Sequence, residues 1–303
     1  MNKLIIIGNG FDKAHKIKTD YTDFKEYLDK NDLSLGDELE QYISPGILWS
    51  KFEEALGFLD DEQLKDDNMC YCLSYNDENW SDSAHHDYQY MISEALSFTE
   101  DIPIYFKEWI KSIEISYSPI FSNKIINNDC LFLSFNYTDT LEKIYNISRD
   151  NILYIHGKAN SEDTLIVGHH DLDLIQNEEL IFNSEEDRRL YYENISEDVR
   201  IIEGDSIIKA YFKETFKNTE TIIEKNQKFF NSLSSIDEIL IYGHSLSFID
   251  LDYFEEINYR VKANCQWNIS YYTPEDLQKA QSFVQSLELT NFNYIDAKTL
   301  CKK

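Results

Sequence analysis

The chain has 303 residues, which is long enough for one large domain with a substantial apolar interior. Its 56 acidic residues outnumber its 28 Lys and Arg residues, and the formal net charge of -28 disfavours binding to nucleic-acid backbones and to anionic membranes. No run approaches the roughly 18 apolar residues that span a membrane, and no small-residue cleavage site follows the first apolar run, so we expect a cytoplasmic protein.

Short apolar runs, each followed by glycine or polar residues, predict the strands of a mostly parallel sheet. Because these runs do not alternate with polar residues, we expect helices to cover both faces of the sheet in an α/β fold. The predicted strands are 4–7, 131–135, 152–155, 165–167, 239–242 and 269–272, and 292–295 is a candidate edge strand.

Two segments, about 36–127 and about 174–234, are far longer than the dozen or so residues that one crossover needs. We interpret them as helical insertions into one α/β domain spanning 1–303, because no linker rich in Pro, Gly or Ser marks a boundary. Helical spacing of apolar residues predicts helices at 19–28, 47–59, 81–115, 200–217 and 219–233.

The first predicted strand leads into the turn Gly8-Asn9-Gly10-Phe11-Asp12. A glycine-rich turn between a first strand and a helix is where open α/β folds hold a nucleotide phosphate. Only two glycines of a usual three match a dinucleotide fingerprint, so a plain tight turn is an equal alternative. Asp12 is expected to cap the following helix or to bind a ribose hydroxyl.

Glycines and histidines gather at the ends of the predicted strands. The carboxyl ends of parallel strands share one edge of a sheet, which is where ligands bind in open α/β folds. This favours a binding site at that edge, although a strand end also needs a turn for purely structural reasons. The glycines are Gly8, Gly10, Gly157, Gly168 and Gly243, and the histidines are His156, His169, His170 and His244.

Five motifs follow one another along nearly the whole chain. They are Gly8-Asn9-Gly10-Phe11-Asp12, Thr19-x-Tyr21-x-Asp23-Phe24, Ser134-Phe135-Asn136-Tyr137-Thr138-x-Thr140-Leu141-Glu142, Ile155-His156-Gly157 and Tyr242-Gly243-His244-Ser245-Leu246-x-x-x-Asp250-x-x-Tyr253-Phe254. Together they resemble the bacteriophage abortive-infection AbiH family. More distantly, the pattern is similar to the SIR2 family, which includes the sirtuins and the SIR2-type NAD hydrolases of antiphage systems.

The SIR2 likeness implies a Rossmann-like sheet with an NAD site. On this likeness the cofactor-binding residues would be Gly8, Gly10, Gly243, His244 and Ser245, with Asn136 near the nicotinamide ribose and His156 on the ribose hydroxyls. Asn9 and Asp12, in the same turn as Gly8 and Gly10, are further candidate cofactor contacts, although the polar Asn9 stands where the SIR2 turn usually has a small residue. The chain also departs from that family, because Thr138 stands where an acidic residue is expected and the sirtuin zinc module is absent. Protein deacylation is therefore not the expected reaction.

The first functional hypothesis is an antiphage enzyme that hydrolyses the N-glycosidic bond of NAD or of a related nucleotide, with NAD as substrate and no metal. The Asn136 amide can orient a water molecule or a ribose hydroxyl, and His156 can act as a general base near neutral pH. Backbone N–H groups of residues 8–12, with Ser245, would contact the diphosphate. The structural alternative for Asn136 is a helix N-cap before residues 138–145.

Two other hypotheses come from the residues. His169, His170, Asp171 and Asp173 are a compact set of imidazole and carboxylate groups, which would suit a metal-dependent nucleotide or nucleic-acid phosphodiester hydrolase. Adjacent histidines tend to point apart, which argues against this metal site. The third hypothesis is a sensor or scaffold without enzyme activity, in which acidic helices and abundant tyrosines bind a phage protein or a second copy of the chain.

Overall fold

A six-stranded parallel sheet forms the centre of the fold in the computed structural model, which describes residues 2–31, 33–115, 117–175, 184–186, 189 and 198–301. Its strands are β1 (Lys3–Ile7), β2 (Leu131–Ser134), β3 (Ile152–Tyr154), β4 (Glu238–Tyr242), β5 (Gln266–Tyr271) and β6 (Phe292–Asp296). The order across the sheet is β3-β2-β1-β4-β5-β6, and all five pairings are parallel. The predicted α/β class with a parallel, Rossmann-like sheet is confirmed.

Both faces of the sheet are buried, as the continuous apolar runs predicted. Successive side chains of a strand point to opposite faces, and β1 shows the consequence. Leu4 and Ile6 join one buried apolar cluster, whereas Ile5 and Ile7 join another. Each fully buried side chain of this kind stabilises the fold by about 1.5–3 kcal/mol, so β1 anchors both layers at once.

Helices connect and cover the strands. They are α1 (Asn9–Ala14), α2 (Tyr21–Lys30), α3 (Leu35–Tyr42), α4 (Pro45–Leu48), α5 (Phe52–Ala55), α6 (Asp61–Asn68), α7 (Asp87–Ala95), α8 (Phe98–Ser112), α9 (Thr140–Tyr145), α10 (Val199–Glu214), α11 (Thr219–Lys225), α12 (Gln227–Ser232), α13 (Leu251–Arg260), α14 (Pro274–Ser286) and α15 (Ala297–Leu300). Short 3-10 helices lie at Met69–Tyr71, Ala84–His86, Arg149–Asn151, Leu233–Ser235 and Phe248–Asp250. None of the described helices has the length and apolar content of a membrane span.

The chain divides into two compact units. The first comprises Met1–Phe24, Tyr105–Ile166 and Asn218–Lys303 and contains all six strands. The second comprises Lys25–Ile104 and Val167–Lys217 and contains α3 to α7 and α10. The interpretation of 1–303 as one domain with two insertions stays a prediction, and part of the second insertion lies outside the described residues.

The expected strand at 165–167 is wrong. Its backbone groups are bonded in a loop: the Ile166 N–H donates to the His156 carbonyl at 2.9 Å, and the Tyr137 hydroxyl donates to the Ile166 carbonyl at 2.8 Å. A side chain and a turn thus take the bonds that a neighbouring strand would make. As a result, Gly168, His169 and His170 do not follow a strand.

Several predicted helices are shorter or interrupted. The helix expected at 47–59 is two short helices, α4 and α5, and the Ser50 hydroxyl between them donates to the Gly46 carbonyl at 2.8 Å. Serine side chains compete in this way with helical backbone bonds. The helix expected at 219–233 divides in the same manner at Asn226, whose side chain bonds to the Ile222 carbonyl.

Candidate functional site at the carboxyl edge of the sheet

The strand order reverses between β1 and β4. In the 3-2-1-4-5-6 arrangement, dinucleotides bind outside the carboxyl ends of the strands at this reversal point. The turn after β1 carries Gly8 and Gly10, and the turn after β4 carries Gly243 and His244. Two motifs that are distant in the sequence therefore meet where this architecture forms a crevice.

The glycines of these two turns allow their backbones to touch. The Gly10 N–H donates to the Gly243 carbonyl at 2.8 Å, and a Cβ at Gly10 would lie 2.6 Å from the Gly243 Cα. Gly243 has a φ of +66°, a conformation that favours glycine. The Gly8 N–H donates to the Tyr242 carbonyl, and the Phe11 N–H donates to the Gly8 carbonyl. Close packing alone thus accounts for these glycines, and the N–H groups of Gly8 and Gly10, which were predicted to contact a diphosphate, donate to protein carbonyls.

Asn9 connects the first turn to the start of α2. Its Nδ2 donates to the Thr19 carbonyl at 2.9 Å, and the Thr19 hydroxyl donates to its Oδ1. Both ends of the amide therefore hold the segment between α1 and α2. This is a structural role for a residue that the sequence placed among the cofactor contacts.

Asp12 is the centre of a buried polar group that we call the Asp12 cluster, formed by Asp12, Asn136, Thr138 and Thr140. The Thr138 and Thr140 hydroxyls donate to the two carboxylate oxygens of Asp12 at 2.6 and 2.7 Å. Asp12 is 1% exposed, and burial raises the pKa of its carboxyl to about 6. Gly8 is the N-cap of α1, so the expected capping role of Asp12 is wrong; Asp12 instead holds the segment after β2.

Asn136 lies in that segment and is buried. Its N–H donates to the Ser134 hydroxyl at 3.2 Å, and its amide lies close enough to Asp12 to help lower the carboxyl pKa. The N-cap of α9 is Asp139, so the capping alternative for Asn136 is wrong. Within the described part of the chain, the Asn136 Nδ2 has no hydrogen-bond partner of normal geometry. A buried amide donor of this kind is suited to a ligand or a water molecule.

A second polar group, which we call the histidine cluster, consists of His156, His244 and Asp250. His156 follows β3, His244 follows β4, and Asp250 ends the 3-10 helix before α13. One carboxylate oxygen of Asp250 lies 3.8 Å from His156 Nε2, and the other lies 3.4 Å from His244 Nε2. The side chains of both histidines are 3% exposed, so the carboxylate lies between two buried imidazoles.

The segment after β2 contributes to both clusters, because Phe135 contacts the histidine cluster and the next residue belongs to the Asp12 cluster. The Phe135 ring centroid lies 5.4 Å from that of His156 and 4.3 Å from that of His244, and the next residue is Asn136. Asn136 and His156 each lie two residues beyond the paired strand residues Ser134 and Tyr154. The structure therefore brings the two predicted catalytic residues to neighbouring positions along one edge.

The protonation of His244 follows from its hydrogen bonds. The Leu246 N–H donates to His244 Nδ1 at 2.9 Å, so Nδ1 carries no proton and the neutral ring carries its proton on Nε2. His244 Nε2 lies 3.4 Å from Asp250 Oδ2, within ion-pair range. Ser245, the next residue, is exposed, and its hydroxyl accepts a 3.4 Å bond from the Ser247 N–H.

The residues of the metal hypothesis lie in the second unit and serve its backbone. His169 Nε2 donates to the Phe212 carbonyl at 3.0 Å, and its Nδ1 accepts the Asp171 N–H at 3.1 Å. His170 Nδ1 bonds to the Lys217 carbonyl at 2.9 Å. Nowhere in the described ranges are three or more His, Cys, Asp or Glu side chains grouped to hold a metal ion.

Gly168 also has a packing role in the second unit. A Cβ at this position would lie 2.1 Å from the Thr215 carbonyl oxygen. The expected strand before Gly168, His169 and His170 is wrong, so the reason for grouping them with the other strand-end residues is removed.

Two contacts of the site had little signal in the sequence. The segment Asp250-x-x-Tyr253-Phe254 predicts a helix packed over the sheet, with Asp250 as a residue that can also face the cleft, but its position between two histidines was not evident from the sequence. The bonds from Thr138 and Thr140 to Asp12 join residues 126 and 128 positions apart.

A comparison with protein families settles the relationship of the chain. The sequence model described as bacteriophage abortive infection AbiH matches residues 4–271. The chain belongs to the AbiH family. The matched region of this AbiH protein runs from β1 to the end of β5 and contains both clusters. The biological role of the family is antiphage defence by abortive infection. A comparison of the chain with curated proteins found no match.

Proposed function

We propose that this AbiH protein acts in defence by hydrolysing the N-glycosidic bond of NAD or of a related nucleotide at the carboxyl edge of its sheet. The observation that carries the proposal is the position of the two clusters. Buried polar side chains follow β2, β3 and β4 around the point where the 3-2-1-4-5-6 strand order reverses. This is the region in which the architecture binds dinucleotides.

The reaction consumes one water molecule. The bond between C1′ of the ribose and the nicotinamide nitrogen breaks, and nicotinamide leaves with the electron pair. The water oxygen bonds to C1′, and the water proton passes to a base and then to solvent. Because C1′ becomes positively charged in the transition state, the site must hold the ribose and position the water.

Asn136 and His156 suit these two tasks. The Nδ2 of Asn136 is a buried donor that can bind a ribose hydroxyl or the attacking water. His156 lies on the neighbouring strand end, and its imidazole can accept the water proton. Asp250 then stabilises the positive charge that the imidazole acquires.

The diphosphate has a different set of proposed contacts from those that a glycine fingerprint suggests. The N–H groups of Gly8, Gly10 and Phe11 donate to protein carbonyls, so the first turn shapes the crevice by its close backbone packing. The exposed Ser245 hydroxyl, in the turn after β4, is a proposed polar contact for the diphosphate or ribose.

The test is release of nicotinamide from NAD by the purified protein, with and without extract of phage-infected cells, and with Mg²⁺ or EDTA. Asn136→Ala and His156→Ala should each lower the rate, by roughly 10²–10⁴-fold where a general base is lost. Asn76→Ala and His86→Ala change exposed residues of the same types and are the matched controls.

Absence of nicotinamide release by the wild-type protein under every condition would overturn the proposal. Metal-dependent loss of a phosphodiester substrate would point to the second hydrolase hypothesis. Binding of a phage protein without turnover of any nucleotide would point to a sensor.

A further inference from the structure

We infer that Asp250 and His244 are positioning residues that set the protonation state of His156 during glycosidic-bond hydrolysis. This inference rests on the proposed function, since it assigns how the base of that reaction is prepared. It starts from the geometry of the histidine cluster, in which one carboxylate lies within ion-pair range of two buried imidazoles.

The His244 side of the cluster is held in one tautomer. Because Nδ1 accepts the Leu246 N–H at 2.9 Å, the neutral ring can donate only from Nε2, which lies 3.4 Å from Asp250 Oδ2. Leu246 has a φ of +54°, an unfavourable conformation for a residue with a side chain. The strained backbone thus supplies the N–H that keeps the His244 proton on Nε2, the ring nitrogen within ion-pair range of Asp250.

The His156 side receives the other carboxylate oxygen. Asp250 Oδ1 lies 3.8 Å from His156 Nε2, which is beyond hydrogen-bond distance but within ion-pair range, so the carboxylate acts on the imidazole through its charge and favours the protonated ring. When the His156 ring takes a proton from water, it becomes positively charged beside the carboxylate. His244 orients Asp250 for this contact and carries no proton-transfer step itself.

Other titratable groups near the ring differ from Asp250. The Tyr137 and Tyr253 ring centroids lie 6.2 and 5.7 Å from that of His156, and His244 lies beyond the carboxylate. Tyr137 comes from the segment after β2, Tyr253 from α13 and His244 from the turn after β4, and none of these three side chains ordinarily carries a negative charge near neutral pH. Asp250 differs from them because an ionised carboxylate is negatively charged in this range. Its removal should therefore alter how readily His156 binds a proton.

The kinetic test compares Asp250→Asn with Asp252→Asn. Asp252 lies on the same stretch of chain, but its carboxylate accepts a hydrogen bond from Thr219, so it controls for the same change of charge. Asp250→Asn should lower kcat for NAD cleavage by about 10–100-fold with little change in KM. It should also move the acid limb of the pH–rate profile to lower pH, because the imidazole loses a neighbour that favours its charged form.

The second test varies His244. His244→Gln keeps a side-chain N–H donor, whereas His244→Ala removes it, so the Gln variant should retain more activity at equal fold content. Equal losses in these two variants, or equal rates and equal acid limbs in Asp250→Asn and Asp252→Asn, would overturn the inference.

Nitrogen NMR of the histidine rings separates this inference from the proposed function. His244 should show a protonated Nε2 and an unprotonated Nδ1, and the His156 titration should move to lower pH in Asp250→Asn but not in Asp252→Asn. If this pattern is found while NAD is not cleaved, the coupling is supported and the proposed reaction fails. A His156 titration that is the same in all three proteins would overturn the inference whatever the activity.

Discussion

His244 in the first unit and His169 in the second have the same local geometry and different surroundings. In each, Nδ1 accepts the N–H of the residue two positions later, at 2.9 Å for His244 and 3.1 Å for His169, which places the ring proton on Nε2. Nε2 lies within ion-pair range of the Asp250 carboxylate in His244 and is hydrogen-bonded to the Phe212 carbonyl in His169. An ionised carboxylate stabilises a positive charge on a nearby imidazole, whereas a carbonyl accepts the hydrogen bond and holds the ring in place. Local sequence therefore sets the tautomer, and the tertiary partner decides whether the histidine can serve chemistry.

The largest expected effect is a difference in NAD cleavage between variants of the histidine cluster and variants of His169 in the second unit. His156→Ala, in the histidine cluster, should lower NAD cleavage by roughly 10²–10⁴-fold and leave the protein folded. His169→Ala should leave the rate per folded molecule unchanged but lower the free energy of unfolding by about 2–3 kcal/mol, since it removes a buried, doubly bonded ring. Nicotinamide release and urea unfolding measure the two effects. A His169→Ala protein that is stable but inactive would break the comparison.

The next effect concerns a packing feature that both regions share. Gly243→Ala and Gly168→Ala should each lower the free energy of unfolding by about 3 kcal/mol or more, because the new Cβ would lie 2.5 Å from the Gly10 carbonyl carbon and 2.1 Å from the Thr215 carbonyl oxygen. Gly46→Ala is the control, since nothing lies within 4 Å of its Cβ position and alanine favours the helix. Equal stability of all three variants would contradict the close-packing explanation of the glycines.

The two regions should also respond to pH with opposite signs. Burial raises the Asp12 pKa to about 6, so the native state binds an extra proton between about pH 4 and 6, and the stability that Asp12 contributes falls as the pH rises through this range. A shift from 3.8 to about 6 corresponds to about 3 kcal/mol. Burial lowers the His169 pKa, so its contribution is lost as the pH falls below 6.5.

Unfolding of the wild type, Asp12→Asn and His169→Gln at several pH values measures these slopes. The wild type should lose stability relative to Asp12→Asn between pH 4 and 7, and relative to His169→Gln on acidification. Parallel pH curves for the wild type and Asp12→Asn would show that the Asp12 carboxyl is not perturbed by burial.

The smallest expected effect concerns the strained backbone of Leu246, whose N–H donates to His244 Nδ1. Leu246→Gly and Leu246→Ala remove nearly the same side chain, but only glycine adopts a φ of +54° without strain. The Gly variant should therefore be more stable than the Ala variant by about 1 kcal/mol, and this difference is measured by urea unfolding. If Ala is the more stable, the backbone at Leu246 is not strained.

The sequence predicted much of the sheet and part of the site. The apolar runs identified the six strands because burial on both faces requires consecutive apolar residues. The rule that parallel strands end at one edge of the sheet correctly predicted that Asn136 and His156 lie in neighbouring positions. The same rule failed at Gly168 because the short run 165–167 carries no information about whether a neighbouring strand is available. The residue that joins the histidines, Asp250, was only hinted at, since its partners come from distant segments.

The sequence by itself determined the membership of the AbiH family, the α/β class and the residues that follow β2, β3 and β4, because these depend on motifs and on the periodicity of nearby residues. Only the tertiary structure decided that Gly10 packs on Gly243, that Asp12 holds two threonines, and that Asp250 lies between His156 and His244. The physical reason is the range of the interactions. Burial and turn preferences act over a few residues, whereas the partner of a buried polar group is set by how distant parts of the chain cross.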